Sequence, residues 1–129
     1  MSDYKSLSVW QKAMNLSERV YRASASFPTI EKFGLADQMR RASVSIASNI
    51  AEGYGRGTDK EFIHFLCISK GSSNELETQI ELSHRFGYVD DETYTVLLSF
   101  NNEINKMLAS LIYRRKSGKD SFERLEPKA

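Results

Sequence analysis

Residues 33–61, FGLADQMRRASVSIASNIAEGYGRGTDKE, decide the fold. Leu35, Met39, Ala42, Ile46 and Ile50 recur at the 3.6-residue period of a helix with one apolar face. Beside that face runs a strip of small residues, Ala36, Ser43, Ala47 and Ala51, which lets a neighbouring helix come close. Gly53-Tyr54-Gly55-Arg56-Gly57 breaks the helix, because glycine is the poorest helix former after proline and the preferred residue just past a helix end. Thr58-Asp59-Lys60-Glu61 is a capping box that opens the next helix. The stretch therefore reads as helix, tight turn, helix.

Downstream, the second of these helices runs to about Phe86, with Phe62, Phe65 or Leu66, Ser69, Ser72 or Ser73, Leu76, Ile80 and Ser83 inward and Gly87 as terminator. At 1.5 Å per residue it is about 42 Å long, so its partners must be long as well. Gly71-Ser72-Ser73 in its middle predicts close contact with the small-residue strip, with a kink as the alternative. Upstream, Val9, Ala13, Leu16 and Val20 mark a helix from about Leu7 to Ser26 that stops before Phe27-Pro28. Asp90 or Asp91 caps a last helix with the stripe Leu97, Asn101, Ile104, Leu108 and Leu111, and Gly118 stops it. The expected class is all-α, an antiparallel up-down-up-down four-helix bundle over residues 1–118, with a loosely ordered charged tail at 119–129. Phe62, Ile63, Ile68, Val96, Leu98, Phe100 and Met107 spread apolar surface beyond single stripes, which predicts self-association.

The composition limits what such a bundle does. The chain has 129 residues, one domain's worth, with 27% charged residues and a formal net charge of +1. That balance advertises neither a nucleic-acid binder nor an enzyme for acidic substrates. A single cysteine, Cys67, forms no internal disulfide and is expected as a packed, inert thiol. With no apolar leader and no membrane-length run, the expected compartment is the cytoplasm.

Chemical motifs are sparse. Glu61-x-x-His64 and Glu81-x-x-His84 have the spacing of di-iron bundles, but both lie on one helix about 30 Å apart and cannot share a metal cluster. No nucleophile, metal set or acid–base pair emerges, so a non-enzymatic protein without cofactor is expected. Arg56 and Lys60 flank the free amides of a helix N-terminus, which suits phosphate oxygens; a turn with solvated charges is the alternative. Arg114-Arg115-Lys116-x-x-Lys119 is the densest basic cluster and either complements the helix dipole or meets a polyanion or partner. Folding the middle hairpin about residue 56 brings Arg40 and Arg41 within a turn of Glu75. That placement predicts an interhelical arginine–carboxylate pair, with Asn49 and Glu52 adding polar contacts; a basic ring built from several subunits is the alternative.

Val9-Trp10-Gln11-Lys12-Ala13, Phe27-Pro28, Phe33-Gly34-Leu35, the run Gln38 to Gly53, and Glu61-Phe62 through Gly71-Ser72 to Glu75-Leu76-Glu77 resemble the bacterial four-helix bundle protein family. That family takes in proteins encoded by intervening sequences within 23S ribosomal RNA genes and accessory variability proteins of diversity-generating retroelements. The resemblance spans about Leu7 to Leu111. It implies a homopentameric barrel and, from the retroelement members, nucleic-acid binding through a basic surface and partnership with a reverse transcriptase. The expected role is an oligomeric helical scaffold that binds RNA or DNA weakly through Arg40, Arg41, Arg56, Lys60, Arg114, Arg115, Lys116 and Lys119. The alternative is a protein-interaction module without a nucleic-acid role.

Overall fold

In the computed structural model, which describes residues 3–122, four helices carry the fold: α1 (Ser8–Ser24), α2 (Leu35–Gly55), α3 (Asp59–Arg85) and α4 (Asp91–Lys116). Single 3-10 turns at Tyr4–Ser6 and Thr29–Glu31 complete it, and no strand occurs among the described residues. Side chains that form the α3 and α4 N-caps match the sequence pattern: the Thr58 hydroxyl accepts from the Glu61 amide at 3.3 Å, and the Asp90 carboxylate from the Thr93 amide at 2.8 Å. No helix among the described residues is long and apolar enough to cross a membrane.

Each helix packs against two others, α1 and α3 lying diagonally between α2 and α4. Ser45 meets Ser72, Ile46 meets Ser69 and Met39 meets Ser83, so α2 and α3 run in opposite directions. Asp59 with Arg115, Ser73 with Asn101 and Glu81 with Tyr94 establish the same for α3 and α4. Leu16, Met39, Ile46, Leu66, Leu76 and Ile104 are fully buried on the common axis, on the stripes their spacing sets. One end of the bundle holds the connections 25–34 and 86–90; the other holds the turn 56–58 with the start of α1 and the end of α4.

Hydroxyls and amides fix the register inside this core. Ser73 donates to Asn101 Oδ1 and receives the Asn101 amide at its carbonyl, both at 2.9 Å and fully buried. Ser69 donates to the Ile46 carbonyl at 2.9 Å. A one-turn slip of α3 would orphan these groups, and each buried polar group left without a partner costs about 1–3 kcal/mol.

Glycines behave differently from the sequence reading. Helix α2 does not stop at Gly53 but runs two residues further, to Gly55. A Cβ on Gly53 would lie 2.5 Å from Phe65 Cβ, so this glycine is where α2 and α3 come closest. The residue that turns the chain is Gly57, at φ +81°. Gly71 has open space on its Cβ side and makes no close helix contact; Ser72 and Ser73 make the contacts expected of that patch. Gly53→Ala should therefore destabilise, by about 1–3 kcal/mol, although helix propensity alone favours alanine by about 1 kcal/mol. A thermal melt shifted upward would show that α2 and α3 relax apart freely.

The surplus apolar residues divide. Phe62 is fully buried, Ile63, Val96, Leu98, Phe100 and Met107 are half-buried, and Ile68 is exposed. Of the charged tail, residues 119–122 fold back against the start of α3, and 123–129 lie outside the described residues.

Candidate nucleic-acid interface

The turn end of the bundle collects most of the basic residues singled out by the sequence. Because α2 ends, α3 begins and α4 ends there, Arg56, Lys60, Arg114, Arg115, Lys116 and Lys119 share one end of the molecule. They are not equivalent. Lys60 and Lys116 are exposed, and among the described residues neither has an ion pair. Arg56 bonds Glu52 at 3.1 Å and lies over the Phe65 ring at 5.1 Å; Lys119 sits 5.8 Å from the Tyr113 ring. Such exposed contacts are weak enough, at about 0–1 kcal/mol, to be exchanged for a phosphate. Arg114 is held in a bidentate pair by Asp120.

Arg115 is the exception. Its side chain is 5% exposed and pairs with Asp59 at 3.2 Å, with Phe62 on one side at 4.8 Å and Phe122 on another at 4.4 Å. Asp59 also accepts from the Ser121 hydroxyl at 2.6 Å and from the Phe122 amide at 3.0 Å. Burial would raise the Asp59 carboxyl, but the bonds from Ser121, Phe122 and Arg115 outweigh it and hold it below the ordinary 3.8. Arg115 Nε is buried without a hydrogen-bond partner among the described residues. This arginine is a structural strut and offers no face to an external phosphate.

Arg40 and Arg41 lie roughly 20 Å up α2 from this end, at 1.5 Å per residue. The arginine–carboxylate network expected around them does not form. Arg41 pairs with Asp37 one turn back on its own helix at 2.9 Å. Arg40 reaches α1 instead, donating to Ser24 Oγ at 2.8 Å and the Tyr21 carbonyl at 3.2 Å. Asn49 donates to the Ser45 carbonyl and hydroxyl, Glu52 takes Arg56, and Glu75 accepts from Gln79 at 3.4 Å. The Ser45–Ser72 seam between α2 and α3 is too close for a guanidinium.

One other expectation changes. Cys67 is exposed, not packed, because it lies one position off the inward stripe of Leu66 and Ser69. Glu81 and His84 are tied to α4: Tyr94 donates to Glu81 at 2.7 Å, stacks on His84, and His84 Nε2 lies 2.7 Å from Asp91 Oδ1. Among the described residues no three His, Cys, Asp or Glu side chains converge on a metal-sized site.

Asp59, Ser121 and Phe122 were not singled out by the sequence. Arg115 continues the inward stripe Ile104, Leu108, Leu111, so an arginine at a core position was a readable sign that a buried carboxylate waits opposite.

The architecture is that of an all-helical four-helix bundle with a cationic end. The chain belongs to the 23S rRNA-intervening sequence protein family, whose model matches residues 5–110. A crystallographically solved protein of unknown function from the S23 ribosomal protein family of Bacteroides thetaiotaomicron VPI-5482 is 30% identical, with a TM-score of 0.75 over 81% of this chain and 95% of that one. No curated protein matches significantly.

Proposed function

We propose that the protein is a non-enzymatic, self-associating helical scaffold whose turn end binds RNA or DNA phosphates weakly and without base preference, in the cytoplasm. The observation that carries this reading is the gathering of Arg56, Lys60, Lys116 and Lys119 at one end, all exposed, on a chain whose net charge is only +1. A local cationic patch, not bulk charge, is the feature a phosphate backbone meets.

Self-association is supported by apolar surface left on the single chain. Met14, Tyr21 and Val44 are 40–46% exposed along a shallow groove between α1 and α2, and Ile68 and Leu82 are exposed on α3. Two different patches on one subunit favour a head-to-tail contact, which closes into a ring; the pentamer implied by the resemblance is such a ring. A ring repeats the cationic end and multiplies weak phosphate contacts by avidity.

Two measurements test the proposal. Light scattering should give a mass near five chains, and a dilute monomer would discard the ring. If four cations meet phosphates, binding of a labelled RNA hairpin should weaken roughly 100-fold between 50 and 200 mM salt. Absence of binding at low salt would end the nucleic-acid role. A second reading, a protein-interaction module, is favoured by Ile30 and Phe33, 86% and 85% exposed, and Phe86, 56% exposed, in the connections at the opposite end. For that reading the resemblance nominates a reverse transcriptase as partner.

A further inference from the structure

We propose that Asp120–Phe122 is an autoinhibitory strap, which occupies the cationic end by holding Arg114 with Asp120 and closing over Arg115 and Asp59. The inference rests on the nucleic-acid reading above. The strap lies beyond residue 110, where the family match ends.

Its geometry is that of a ligand seated on the rest of the chain. Phe122 is the anchor, with its ring 5.3 Å from Tyr54 and 5.8 Å from Phe62 and its amide on Asp59. Ser121 is 6% exposed and donates to the other Asp59 oxygen. With both residues fixed, and the Lys119 amide on the Arg114 carbonyl at 3.0 Å, Asp120 is held at the Arg114 side chain, which is 53% exposed. A carboxylate gripping a guanidinium in bidentate fashion occupies the same donors that a phosphate would take. Asp120 therefore stands where a backbone phosphate would bind, and an entering polyanion must displace it.

Undocking the strap costs little compared with unfolding. Among the described residues only 120–122 need move, while Arg115 keeps its Asp59 partner on α3. Release turns Arg114 from an internally neutralised group into a fifth cation open to phosphate beside Arg56, Lys60, Lys116 and Lys119. The strap thus sets how strongly this end holds phosphate.

The test is equilibrium binding of a labelled RNA hairpin at low salt by the full-length protein and three variants, each checked for helix content and melting temperature. Asp120→Asn removes the carboxylate on Arg114. Phe122→Ala removes the anchor without changing charge. Glu61→Gln removes an exposed carboxylate at the same end that holds no arginine among the described residues. Asp120→Asn and Phe122→Ala should each tighten binding roughly three- to tenfold and steepen the salt slope by about one, as expected for one more phosphate contact. Glu61→Gln should leave that slope unchanged. Wild-type binding with both strap variants unaltered, or with Glu61→Gln matching Asp120→Asn, would overturn the strap alone. No binding by any form would overturn the nucleic-acid reading and the strap with it.

Discussion

Asp59→Ala should cost about 3–5 kcal/mol, because it strands the Arg115 guanidinium, only 5% exposed, without its carboxylate. On a domain of this size that is a fall of roughly 10–15 °C in the melting midpoint. The same carboxylate also loses the Ser121 hydroxyl and the Phe122 amide, so the strap should loosen together with the start of α3. Replacing both partners, Asp59→Ala with Arg115→Met, should recover part of the loss, since no charge is then left buried. The acid limb follows from the same contacts. Asp59 is held below 3.8 in the folded chain, and Asp120 likewise by the Arg114 bond, so their contribution is complete at neutral pH and is lost as pH falls below 3.8 through the lowered folded values. Asp59→Ala should flatten that acid decline. A melt within about 1 kcal/mol of wild type would show that Arg115 is solvated and the strut absent.

Phe62→Ala has an expected cost of similar size, about 3–5 kcal/mol. Phe62 is fully buried where four elements meet: it lies beside Gly53 of α2, edge-on to Tyr54 at 5.5 Å, under Arg115 of α4, and against Phe122 of the strap. Its loss leaves a cavity that the close α2–α3 approach at Gly53 cannot fill without moving a helix. Phe33→Ala gives the contrast: at 85% exposure it should change stability by no more than about 0.5 kcal/mol. Urea unfolding of both variants checks the pair. Equal effects would mean that the turn end is not packed as described.

Why these residues matter was only partly legible beforehand. The helices were readable because apolar residues at 3.6-residue spacing and caps such as Thr58 and Asp90 act locally. Asn101 was readable as an inward position, though not its bond with Ser73, which depends on how α3 and α4 slide against each other. Gly53 misled because propensity describes a lone helix, whereas its role is set by Phe65 on the next one. Arg41 misled because Asp37, one turn back, was a nearer partner than any carboxylate across the seam. Ser121 and Phe122 stayed hidden because a short tether has no periodicity; only its target, an arginine on a core stripe, left a trace. The cationic end itself needed the fold, since Arg56 and Lys116 are sixty residues apart in sequence and share one end only when α2, α3 and α4 run antiparallel.

The cationic end is tested most directly by charge reversal at two of its exposed lysines, Lys60 and Lys116. Lys60→Glu with Lys116→Glu, compared with Arg41→Glu on the side of α2, should abolish low-salt binding of the RNA hairpin while the Arg41 variant keeps most of it. Equal binding by the lysine double variant and wild type, with both folded and of the same mass, would contradict the assignment.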